Sequence, residues 1–196
     1  MSETLSSGDV STKLQQIAEL ARKHPERVFT SIAHVIDFQW MLEAYRRTRK
    51  DAAAGVDGQD ADAFGKNLEA NLRDLLQALH SGRYQAPPVR RVHIPKDKGK
   101  TRPIGIPTFA DKVMQRAVVM LLEAIYEIDF HKHSYGFRRK RSAHDALLQL
   151  QKRPTYWQYC WIIEADIESF FDTIDHTHLR NFLDQRVRDG VIRRVI

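Results

Sequence analysis

Arg90-Arg91-Val92-His93-Ile94-Pro95-Lys96-Asp97-Lys98-Gly99-Lys100-Thr101-Arg102-Pro103-Ile104-Gly105-Ile106 reads as a basic β-hairpin. Val89 to Ile94 and Arg102 to Ile106 are short strands with branched side chains at alternate positions. Lys96 to Lys100 is the polar, glycine-containing turn between them. Pro87-Pro88 just upstream ends any helix. The hairpin lies between strongly helical stretches, so the fold class is α+β rather than all-helical.

Upstream, Phe64, Leu68, Leu72, Leu75, Leu76 and Leu79 form the stripe of one amphipathic helix over 61–80, with Gly82 suited to its C-terminal cap. Ala54-Gly55-Val56-Asp57-Gly58 is a turn-rich link before it. Helices are also expected over 12–23 and 37–48, and residues 1–11 are Ser/Thr-rich and expected to be disordered. Downstream, Thr108 and Asp111 suit a capping box that opens a long helix to about Phe130. A basic loop, Ser134 to Arg141, leads to a helix over 142–152. Trp161 to Ile167 reads as a buried strand, and another helix begins near Asp175–His178.

The 196 residues carry a net charge of +6, and that charge is regional. Arg83, Arg90, Arg91, Lys96, Lys98, Lys100 and Arg102 face Asp97 alone within 83–102, and Lys132, Arg138, Arg139, Lys140 and Arg141 face no acid within 131–141. A phosphate-binding surface requires such clustering. Tyr135 and Phe137 among the second group's cations suit single-stranded nucleic acid. The single cysteine, Cys160, excludes an intrachain disulfide and reads as a small core residue. Neither a signal peptide nor a stretch of ~20 apolar residues is evident, so the expectation is a soluble, cytoplasmic protein with no membrane partner.

Asp166 is a carboxylate at the end of an apolar strand. Either a divalent cation meets it, or it begins a turn. Lys96 and Arg102, on the two arms of the hairpin, suit the phosphates of a nucleotide, or they keep an exposed sheet edge from pairing. Phe171, five residues beyond Asp166, suits the underside of a nucleotide sugar, or it is core.

Several segments, in order, resemble the blocks of the reverse transcriptases encoded by group II introns. They are Gly55-Val56-Asp57-Gly58, then Ile94-Pro95-Lys96 with Gly99-Lys100 and Arg102-Pro103-Ile104-Gly105-Ile106-Pro107, then Asp111-Lys112-Val113-Met114-Gln115, Ser134-Tyr135-Gly136-Phe137-Arg138, and Ala165-Asp166-Ile167 with Phe170-Phe171-Asp172. The resemblance covers roughly residues 40–180. It implies a helical extension over 1–36, a fingers region over 37–158 and the start of a polymerase palm over 159–196. It implies that Asp166 and the backbone carbonyl of Ile167 bind Mg²⁺, that Lys96 and Arg102 grip the incoming deoxynucleoside triphosphate, and that Phe171 is the gate under its sugar. Arg90, Arg91, Lys98, Lys100, Tyr135, Arg138, Arg139, Lys140 and Arg141 would follow an RNA template or intron RNA and a DNA primer. Arg139 stands where the family usually has Pro.

The family's second catalytic block is a Tyr/Phe-x-Asp-Asp turn, and the sequence contains no Asp-Asp pair. Two-metal transfer needs carboxylates from both blocks. The expectation is a truncated palm, inactive alone, with a missing C-terminal half as a candidate partner. Two other readings stand beside it: a non-enzymatic, maturase-like RNA-binding fragment, and an unrelated metal nuclease built on Asp166 and Asp172.

Overall fold

A computed structural model describes residues 9–95, 101–157, 161 and 163–196, with the side chains of all of these but 153–157. The turn residues Lys96, Lys98 and Lys100, and also Cys160, lie outside the described set. The elements are α1 (Val10–Lys23), a 3-10 turn (Ala33–Val35), α2 (Phe38–Arg47), α3 (Ala61–Lys66), α4 (Leu68–His80), β1 (Arg90–Pro95), β2 (Thr101–Ile106), α5 (Phe109–Tyr126), α6 (Ala143–Trp157), α7 (Phe170–Thr173), α8 (His176–Asp184) and α9 (Gly190–Val195). Helices with a small antiparallel sheet make the chain α+β, as expected.

The core is built around α5. Thr108 accepts the Asp111 N–H at 3.2 Å and starts the helix. Val113, Met114, Ala117, Leu121 and Ile125 are then completely buried at helical spacing. Helices α1 and α2 pack on this stripe. The buried Trp40 of α2 donates its indole N–H to the Ala117 carbonyl at 3.0 Å, which satisfies its polar edge inside the core. Helix α1 starts at Val10, ahead of the expected residue 12, because the Asp9 carboxylate accepts the Val10 N–H.

The helix expected over 61–80 is two helices. Asn67 leaves helical geometry at φ −121°, ψ 41°, and Asn71 donates its side-chain amide to the Phe64 carbonyl at 2.8 Å. The break lets Phe64 pack against Phe109 and Tyr45, with ring centroids 5.2 Å and 6.0 Å away. Gly82 ends α4 as expected: at φ +65°, its N–H reaches Leu79 and the Arg83 N–H reaches Ala78, which is a Schellman cap.

The strand expected over 161–167 is not formed by its described residues. Trp161 and Ile163 are 90% and 93% exposed. Strands need a hydrogen-bonding neighbour, and among the described residues the sheet holds β1 and β2 alone, each paired with the other. An apolar run without a ladder to join stays irregular.

Residues from both ends of the chain meet. The Phe29 N–H donates to Arg186 O at 2.7 Å and the Arg188 N–H to Phe29 O at 2.9 Å. The buried Arg186 guanidinium also reaches the carbonyls of Pro25 and Arg27 and pairs with Asp129 at 2.9 Å. Asp189 caps α9 through the N–H groups of Val191 and Ile192. It also accepts Ile32 N–H at 2.6 Å and Ala33 N–H at 2.9 Å.

Burial alone pushes the Asp189 carboxyl up, but its four N–H donors outweigh burial and hold it below the usual carboxylate value. A depressed folded pKa stabilises the fold above the unfolded value of about 3.9, and that stability is lost as pH falls through the folded pKa. Asp189→Ala is expected to destabilise the chain by about 3 kcal/mol at neutral pH. It should also flatten the acid limb of a melting temperature series below about pH 4.

Candidate nucleic-acid interface

The hairpin register pairs Arg90 with Ile106, Val92 with Ile104 and Ile94 with Arg102. Directly opposed residues share a face, so Arg90 and Arg102 bracket an aliphatic patch on one side. Arg91 shares the other face with His93 and Pro103. The arms are mostly solvated, with Ile94 47% exposed and Ile104 38% exposed. Arg102, the second residue of β2, is exposed to solvent. Lys96 itself lies outside the described residues.

The seating of this hairpin depends on the link at 53–58. A Cβ on Gly55 would stand 2.6 Å from both the N and the Cα of Thr108, so only glycine lets the link reach the start of α5. Lys112, on the first turn of α5, donates to the Ala53 carbonyl at 2.6 Å. Arg90, on β1, donates to the Ala54 carbonyl at 3.0 Å. The link is thus fastened to the helix and the strand by two cations. Neither role was legible locally, because each partner is a backbone carbonyl 36 or 59 residues away. Tyr84 and Gln115 close the same corner by donating to the buried Asp111 carboxylate at 2.6 and 2.8 Å.

In the basic loop, Arg138 faces inward. Its side chain is 6% exposed and pairs with Glu127 at 2.7 Å. It also donates to the carbonyls of His131 and Ser134 at 3.0 and 2.8 Å, and it lies 5.0 Å from the Phe130 ring centroid. Five donors in a fixed fork suit this task. Arg139, Lys140 and Arg141 are exposed, with Arg141 over the Tyr135 ring at 5.5 Å.

Asp166, Ile167 and Phe171 lie on the exposed stretch after α6, with Ile167 69% and Phe171 82% exposed. The Phe170 and Phe171 rings meet edge to face at 5.3 Å. Asp175 is a helix cap, accepting Thr177 and His178 N–H groups. These N–H groups hold its carboxyl below the usual range. Among the described residues no three His, Cys, Asp or Glu side chains are grouped to hold a metal ion. Asp166 is exposed and offers a single carboxylate. No helix among the described residues is long and apolar enough to cross a membrane.

Residues 94–190 match the family model described as reverse transcriptase (RNA-dependent DNA polymerase). The chain belongs to the reverse transcriptase family. It is 37% identical over 188 residues to Protein YkfC of Escherichia coli, covering 92% of this chain and 49% of that protein. It is 34% identical to the group II intron-encoded protein LtrA of Lactococcus lactis, covering 93% of this chain and 31% of that protein. Similarity extends to the putative COX1/OXI3 intron 2 protein of Saccharomyces cerevisiae, at 32% identity over 91% of this chain and 21% of that protein. The chain thus spans half or less of the length of these curated relatives. The matched segment starts on β1 and runs through the hairpin, α5, the basic loop and Asp166.

Gly55→Ala is expected to cost about 1–3 kcal/mol through the backbone clash. Hydrogen exchange should show faster exchange at Val92 and Ile104, since the hairpin loses its seat. Arg138→Lys keeps the charge but loses the fork, and amide protection across 131–141 is expected to fall while that of α5 stays.

Proposed function

We propose that this chain supplies the nucleotide- and template-positioning part of an RNA-directed DNA polymerase of the group II intron type. The observation that carries the reading is the basic antiparallel hairpin, fastened through the link at 53–54 to the start of α5 and overlapping the segment that matches the family from Ile94 onward. Rigid seating matters because a phosphate grip works only when its donors are held in place.

In this reading Arg102 and Lys96 bind the triphosphate of an incoming deoxynucleotide. Arg offers a planar fork and Lys a mobile point charge. Phe171 limits which sugar fits. Asp166 and the Ile167 carbonyl contribute oxygen ligands to Mg²⁺, whose remaining carboxylates come from outside the described residues. Arg91, Lys98, Lys100, Arg139, Lys140 and Arg141 follow the RNA template or the DNA primer. Tyr135 and Arg90 act from behind, holding Arg141 and the link, and Arg138 orders the loop. Residues 1–196 alone bind a primer–template without extending it.

A second reading, RNA binding without polymerase chemistry, is favoured by one observation. Arg91, Arg102 and Lys140 are exposed and without an acidic partner among the described residues, and such a surface binds RNA whether or not nucleotides are added.

Photo-crosslinking of labelled deoxynucleoside and ribonucleoside triphosphates to the chain, with an RNA template and DNA primer present, separates the two. The polymerase reading expects deoxynucleotide labelling that Arg102→Ala lowers by at least tenfold, and Phe171→Ala should bring ribonucleotide labelling up to the same level. RNA binding with no nucleotide labelling supports the second reading. Extension of the primer by the chain, abolished by Asp166→Ala, would overturn the expectation that it is inactive alone.

A further inference from the structure

A groove of about 440 Å³ lies between α1, α5 and the basic loop. Its floor is apolar, formed by Leu14 and Ala18 of α1 and by Met120 and Ala124 of α5. That volume lies in the roughly 300–1,000 Å³ range of small-molecule pockets.

Phe137 stands at its edge with the whole ring exposed, 106% by relative area, and with φ at +56°. A bulky side chain in the left-handed region is strained, and here the ring gains no burial in exchange. Lys140, three residues on, lines the same groove at φ +57°. The loop therefore holds an aromatic face and a cation beside an apolar slot, at two unfavourable backbone positions.

The charge on the rim is one-sided. Glu127 is taken by Arg138 at 2.7 Å, and Glu123 lies 3.9 Å from Arg139. Arg22 of α1 and Lys140 also line the groove, and neither has an acidic partner among the described residues. An apolar peptide would fit the floor, but it has no use for two uncompensated cations. A polyanion with flat, stackable rings uses both features.

We propose that this groove receives an unpaired base of single-stranded nucleic acid, stacked on Phe137, with the flanking phosphates held by Arg22 and Lys140. The inference rests on the nucleic-acid reading above and adds to it a base-stacking site that α1 helps to build. Nothing in it depends on which base is bound, since every base has a stackable face.

The test is fluorescence anisotropy with the full chain, at several salt concentrations. The probes are a 12-nucleotide RNA, the matching DNA, and an abasic strand of equal length and charge. Phe137→Ala is expected to weaken binding of the base-bearing strands by roughly five- to a hundredfold and to leave the abasic strand unchanged. Phe137→Trp should bind like the parent. Phe137→Gly relieves the positive φ while removing the ring, so it should bind as weakly as Phe137→Ala with no loss of melting temperature. Lys140→Ala and Arg22→Ala should weaken all strands and lower the salt slope by about 0.7 each.

Parent-like binding by both Phe137→Ala and Phe137→Gly overturns the proposal. So does an equal loss for abasic and base-bearing strands, because the ring would then act through folding. If these variants are silent while Arg91→Ala and Arg102→Ala weaken binding, the groove alone is refuted and the hairpin reading stands. If the parent chain binds none of the strands, both fall. A preference between the RNA and DNA probes shows which strand the groove serves.

Discussion

The burial of one face of α5 is the constraint on which the other features depend. Its stripe from Val113 to Ile125 is inaccessible to water, and α1 and α2 are laid across it. The two cationic surfaces are then attached one at each end. The hairpin and its link are fixed at the start of the helix, through Thr108, Asp111 and Lys112. The basic loop is fixed just past its end, through Glu127 and Phe130. A helix of 18 residues, at 1.5 Å per residue about 27 Å long, separates the two attachment points. Cations kept at a fixed separation along a rod can follow a strand of nucleic acid, whereas the same residues on a flexible chain could only attract it.

Arginine has two different uses in this molecule, and exposure separates them. Arg138 and Arg186 are nearly buried, at 6% and 7% side-chain exposure, and each gathers several carbonyls and one carboxylate. Arg91, Arg102 and Arg141 face water. Charge counting along the sequence treats all five alike. The folded chain shows that part of the local positive charge organises the loops that present the remainder.

Legibility in the sequence followed the range of the interactions involved. The start of α5 at Thr108 and the Gly82 cap depend on residues within a few positions of each other, and the hairpin pairs residues no more than 16 apart, so periodicity and turn chemistry reveal them. The break at Asn67 was missed because an unbroken leucine stripe is compatible with one helix. Only the demand of Tyr45 and Phe109 for Phe64 interrupts it. The expected strand at 161–167 has strand-like residues but no neighbour among the described residues, and a strand is a property of pairs. For the site, the cationic surface was legible as composition. The inward turn of Arg138 and the fastening of Ala53 and Ala54 were not, because carbonyl acceptors carry no residue signature.

The joining of the two ends has a consequence for how the chain is made. Ile32 and Ala33 lend their N–H groups to Asp189, which is 157 and 156 residues away. At about 5–20 residues per second of synthesis, a ribosome delivers Asp189 roughly 8 to 30 s after Ile32. Through that interval the segment after α1 has neither its carboxylate acceptor nor the Arg186 fork. Helix α5 is delivered well before either, so α1 and α2 can dock on it first, while residues 24–36 wait. Residues 24–36 are thus translated early but locked late, and a closing step of folding belongs to the segment between α1 and α2.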